Sequence, residues 1–131
     1  MNDFSNSLQI STSGLRAQAA RLRHLSENIS NADTPGYRRK LVSFEADVSR
    51  KEGVTTVKAG PVRLDQSELE AIYDPAHPLA DEKGQYDGSN VNLLIELADA
   101  KEAQRSYEAN LKMFEQTRKM SAGLMDLLRR T

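Results

Sequence analysis

Between Phe4 and Ile29 the chain alternates apolar and polar positions at steps of four and three. Phe4, Leu8, Leu15, Leu22, Leu25 and Ile29 mark the row, with Ser11 and Gln18 as its polar breaks. That spacing predicts a helix with a coiled-coil type seam rather than a strand. A second row with the same spacing runs through Leu93, Leu97, Tyr107, Leu111, Phe114, Met125 and Leu128. A further stripe from Met113 through Met120, Leu124 and Leu127 gives its distal half apolar residues on two faces, so more than one neighbour is expected there. Between the rows the period shortens. Val42, Phe44, Ala46 and Val48 alternate with polar residues, and Gly53, Gly60, Pro61, Pro75 and Pro78 punctuate the stretch beyond them. Three or four short strands are expected.

The chain therefore reads as mainly α, with long N- and C-terminal helices paired as a coiled coil around a small β-rich middle. The expected segments are 1–31, 32–89 and 90–131, the two helical ends forming one discontinuous domain. Asn31, Asp33, Thr34, Pro35 and Gly36 close the first helix, because a proline disfavours helical backbone in the residue before it. Asp87, Ser89, Asn90 and Asn92 offer N-caps to the second. A narrow seam on an isolated helix does not offset the entropy of ordering its backbone. Intermolecular packing and a self-contained helical hairpin both satisfy the pattern.

Composition favours association. Only 38% of the 131 residues are apolar and 28% are charged, which is lean for a core that closes on itself. A formal net charge of −1 gives no basic surface for nucleic acid. The apolar runs are too short for membrane insertion. With no Cys there is no disulfide, thiolate metal site or thiol nucleophile.

Candidate chemistry is sparse. His24 and His77 are the only histidines: the first reads as a solvated helix-face residue, the second as part of a proline-flanked turn. Neither has the companions a zinc site needs, and no cofactor is expected. No nucleophile elbow or phosphate loop occurs, so an enzyme is not indicated. Asn28-Ile29-Ser30 matches a glycosylation sequon, and Arg38-Arg39-Lys40 reads as a solvated loop or rim contact.

Longer motifs carry more. The stretch from Ser26 to Tyr37 contains Asn28, Ile29, Ser30, Asn31, Pro35, Gly36 and Tyr37 in an order that resembles the N-terminal signature of the flagellar basal-body rod and hook proteins. Ser13-Gly14-Leu15-Arg16-Ala17-Gln18 is similar to the start of the same family. Tyr107, Glu108, Ala109 and Asn110 lie in a stretch that resembles its C-terminal signature. The segments Tyr73–Gly84 and Asn90-Val91-Asn92 look most like a proximal-rod member.

The resemblance implies a periplasmic rod subunit of the basal body. It would be exported through the flagellar type III apparatus and assemble helically through its terminal helices into a drive shaft and export channel. Implied partners are copies of itself, other rod proteins and the adaptor at the rotor-ring base. The competing expectation is a cytoplasmic helical adaptor or chaperone forming a four-helix dimer.

Overall fold

The computed structural model describes residues 2–48 and 53–130. Residues 1, 49–52 and 131, which include the outermost positions of the expected terminal segments and part of the β-rich one, lie outside the described residues. Helix α1 runs from Asn2 to Ser30 and helix α2 from Leu93 to Arg129. Both boundaries reflect local chemistry. Past Ser30 the chain turns through Asn31–Tyr37, where the Thr34 N–H donates to the Asn31 carbonyl (3.0 Å) and the Tyr37 N–H to the Thr34 carbonyl (3.1 Å). At the other boundary Asn92 is the N-cap, its side-chain oxygen accepting from the N–H groups of Leu94 (3.1 Å) and Ile95 (3.4 Å).

The middle is more finely divided than its alternation predicts. Among the described residues it forms six strands: β1 (Lys40–Leu41), β2 (Phe44–Val48), β3 (Thr55–Ala59), β4 (Arg63–Leu64), β5 (Ala71–Tyr73) and β6 (Gln85–Asp87). They pair antiparallel in twos, β1 with β4, β2 with β3 and β5 with β6. The first two pairs are one nested hairpin, interrupted where the Gly60 N–H donates to the Ser43 carbonyl (2.7 Å) and Pro61 removes a ladder donor. Strand β3 packs along α1, its Val57 N–H donating to the Ser13 hydroxyl (3.2 Å).

The helices run antiparallel. Gly14 lies against Asn110, Arg21 meets Glu102 (3.4 Å) and Asn28 meets Glu96 (3.3 Å), so the chain numbers rise along one helix as they fall along the other. Gly14, Arg21 and Asn28 are seven apart, as are Glu96, Ala103 and Asn110. Ser11, Ala17, Leu25 and Asn28 of α1 and Glu96 and Ala103 of α2 are buried. Most of these side chains are small or polar. At Gly14 a Cβ would stand 2.9 Å from the Asn110 amide nitrogen. Small residues inward permit close helix approach and turn the large residues of the expected seam toward the rim or outward.

Candidate assembly site

The N-terminal signature is the hub of a polar lock that joins the end of α1 to the start of α2. Asn28 is wholly buried and uses its whole amide. Its Nδ2 donates to the Lys40 carbonyl (3.0 Å) and to Glu96 Oε2 (3.3 Å). Its Oδ1 accepts from the Tyr37 hydroxyl (2.8 Å) and the Lys40 N–H (2.8 Å). A buried amide with every partner present specifies one arrangement, because any slip would strand several polar groups without water. Within the Asn28-Ile29-Ser30 sequence the asparagine is thus interior and offers no accessible site for a glycan.

The rest of the signature shapes the turn. Asn31 Nδ2 donates to the Glu27 carbonyl (2.8 Å) and its Oδ1 accepts from the Thr34 hydroxyl (3.1 Å). Gly36 has φ +74°, a left-handed conformation that favours glycine, and its N–H reaches the carbonyls of Asp87 (3.2 Å) and Gly88 (3.0 Å). Ile29 and Tyr37 are half-buried, whereas Ser30 and Pro35 are exposed.

The basic run is not a solvated loop. Arg39 Nε donates to Glu96 Oε1 (2.6 Å), and its terminal nitrogen lies 3.4 Å from Asp65. Glu96 is wholly buried, so Arg39 supplies the counter-charge that its position demands. Lys40 pairs with Glu27, and Arg38 donates to the carbonyls of Asp65 (3.1 Å) and Ser67 (2.9 Å). These partners move the titrations. The hydrogen bond from Lys40 holds the Glu27 carboxyl below its usual range, and the same bond raises Lys40. The Ser67 backbone N–H, helped by its side chain and by Arg39, lowers Asp65. Burial raises the Tyr37 phenol.

Sequence reasoning did not find Glu96, Arg39, Asn90 or Ser89 as parts of this lock. Asn90 accepts from the Arg39 N–H (2.7 Å) and donates to the Asp65 carbonyl (2.9 Å), while the Ser89 hydroxyl donates to the Ala32 carbonyl. One available signal was the spacing of seven that links Glu96 to Ala103 and Asn110.

The expected seam divides. Leu25 is buried; Phe4, Leu8, Leu15, Leu22, Ile29, Tyr107 and Phe114 are half-buried; Leu93, Leu97, Leu111, Met125 and Leu128 are exposed. The inward row of α2, through Glu96, Ala103 and Asn110, lies one position from Leu97 and Leu111. Of the C-terminal signature, Tyr107 and Asn110 face partly inward while Glu108 and Ala109 are exposed.

His24 departs from the expected solvated state: it is half-buried, with Nδ1 3.9 Å from Glu27. His77 holds its turn, accepting from the Leu79 N–H (3.1 Å) and stacking on Tyr86 with ring centroids 3.8 Å apart. Among the described residues no His, Asp and Glu cluster could hold a metal ion, and no helix is long and apolar enough to cross a membrane.

Two family models match the ends that make the lock. The flagella basal body rod protein model matches residues 8–38, and the model for the C-terminal part of flagellar basal body rod FlgEFG proteins matches residues 83–127. The chain is 45% identical to the flagellar basal-body rod protein FlgC of Agrobacterium fabrum, covering 98% of each sequence. It is 35% identical to FlgC of Aquifex aeolicus, over 92% of this chain and 93% of the relative. It is 32% identical to FlgC of Salmonella typhimurium, over 88% and 90%. These likenesses do not support the four-helix adaptor expectation, since the matched relatives are rod proteins along nearly their whole length.

Proposed function

The chain belongs to the FlgC family of flagellar basal-body rod proteins and is a structural subunit of the rod; on that premise we infer how its surface builds one. The observation that carries the reading is an inverted distribution of apolar side chains. Among the described residues the buried apolar set is Ala17, Leu25, Val54 and Ala103, while Leu93, Leu97, Leu111, Met113, Met120, Met125 and many other large residues are exposed. So many large apolar side chains left in water, with so few buried, mark an interface, because their exposure is unfavourable.

The exposed seam of α2 and the half-buried seam of α1 pack against helices of neighbouring subunits, in a coiled-coil manner, around a central channel. The polar lock fixes the angle at which the β-rich middle leaves the helix pair, so that each copy presents the same outer surface. Repeated heterologous contacts with rotation and rise yield an open helical assembly. Close-packed interdigitating side chains resist twist, as a torque-transmitting shaft must. Copies of the chain, sister rod proteins and the adaptor at the rotor-ring base are the partners, and the flagellar type III apparatus is the export route. The chain acts by assembly, without cofactor or catalysis.

A Leu97→Asp variant tests this reading, because Leu97 is 51% exposed in the single chain and a charge there keeps its contact with water. The variant is expected to be made and exported yet absent from purified basal bodies, leaving cells non-motile. Basal bodies containing it at the wild-type level would overturn the assignment of the α2 seam.

A further inference from the structure

The loop that joins β5 to β6, residues 74–84, is closed by its own hydrogen bonds. At its base the Asp74 N–H donates to the Gly84 carbonyl (2.9 Å) and the Asp81 N–H to the Gln85 carbonyl (2.8 Å). Within it three side chains each accept from the backbone N–H two residues on. Asp74 Oδ1 accepts from Ala76 (3.2 Å), His77 Nδ1 from Leu79 (3.1 Å) and Asp81 Oδ1 from Lys83 (2.8 Å). Such side-chain caps satisfy donors that a tight turn leaves without backbone partners.

The caps differ in one property. A carboxylate stays an acceptor across the neutral and weakly acidic range, whereas an imidazole is the side chain whose charge changes between about pH 5 and 8. A backbone N–H can only donate, so the Leu79 bond requires a lone pair on His77 Nδ1, and the neutral ring then carries its proton on Nε2. The ring lies flat on Tyr86, with centroids 3.8 Å and planes 11° apart, which holds Nδ1 against the turn. The titratable groups of the loop and of the strand residues flanking it are Asp74, Asp81, Glu82, Lys83, Tyr73 and Tyr86. Among the described residues none of them forms an ion pair with the imidazole.

We propose that His77 is a pH-sensitive latch on this loop. When the ring takes up a proton at Nδ1 it becomes a donor facing the Leu79 donor, the cap is lost, and the Pro78–Leu79 tip swings free. The opening is confined to the loop, because the contacts that join the helices, Asn28 with Glu96 and Arg21 with Glu102, lie on other elements. Leu79 is 63% exposed. On the rod-subunit reading the tip is surface that each copy offers its surroundings, and acid changes the shape of that surface.

Nuclear magnetic resonance of the full-length chain between about pH 8 and pH 5 tests the latch. At the upper pH the His77 and Tyr86 rings are in contact and the Leu79 N–H is bonded, with a backbone order parameter near about 0.85. Toward the lower pH the His77 ring carbons report protonation, the ring contact disappears and the Leu79 order parameter falls below about 0.6, while that of Lys83 holds. His77→Asn supplies a side-chain oxygen that accepts from the N–H two residues on without titrating, so it is expected to keep Leu79 ordered throughout. A ring that ionises with Leu79 still ordered, a ring that stays neutral at the lower pH, an unbonded Leu79 at the upper pH, or a His77→Asn loop that loosens in acid overturns the proposal. Should that variant not fold, the spectra of the unsubstituted chain decide. The rod-subunit reading fails on a different observation, absence of the chain from purified basal bodies.

Discussion

Asn28 and Glu96, 68 positions apart and both wholly buried, share a hydrogen bond of 3.3 Å across the helix pair. Each is also tied to the turn after α1, Asn28 through Tyr37 and Lys40 and Glu96 through Arg39. The exit of the chain from the first helix and its entry into the second are therefore set by one network.

Removing one side of its ion pair should cost more than removing both. Arg39→Met leaves the Glu96 carboxylate buried without its cation, a loss of about 3–5 kcal/mol. In the double variant Arg39→Met, Glu96→Leu no buried charge is stranded, and stability should recover in part. Thermal unfolding of the unsubstituted chain and the two variants measures this; a double variant no more stable than Arg39→Met would contradict the account.

Gly14 should resist a substitution that ordinarily strengthens helices. Gly to Ala in a helix interior gains about 1 kcal/mol. Here the new methyl meets the Asn110 side chain at 2.9–3.0 Å, so Gly14→Ala is expected to be neutral or destabilising. In an Asn110→Ala background the clash is gone, and the same change should raise the melting temperature by a few degrees. Equal effects in both backgrounds would rule the contact out as the cause.

At Gly36 the constraint is backbone conformation, since nothing lies within 4 Å of a Cβ built there. Gly36→Val is expected to lose about 1–2 kcal/mol, and Gly36→Asn less, because asparagine tolerates the left-handed region. Urea unfolding compares them; motility should fall in the same order.

Stability should vary little across neutral pH and fall at both extremes. Glu27 and Asp65 have lowered folded values, so their contribution is present above the ordinary carboxylate range and lost as pH falls through those values, below about 4. Lys40 is raised, so its contribution holds below its ordinary value and disappears as pH rises through the folded one. Tyr37 is also raised; the unfolded phenol ionises first, and stability declines above about pH 10. Melting temperatures recorded against pH check this, and Glu27→Gln with Asp65→Asn should flatten the acid limb.

The sequence by itself determined the two helices, the β-rich interval, the turn at Asn31–Tyr37 and the family likeness, because periodicity and ordered turn residues are local properties of the chain. It read the largest residues as a seam without showing which side chains pack within the chain, and it read Arg38–Lys40 as a solvated loop or rim contact. Only the tertiary structure decided what the helix pair itself buries and that Arg39 pairs with Glu96. Which helix face turns inward depends on how closely two backbones can approach, and that is set by Gly14, Ala17 and Ala103 together, not by any one helix. Likewise Glu96 is legible as buried only when Arg39 and Asn28 are brought beside it, for a carboxylate tolerates burial solely in the company of partners that lie far away in the chain.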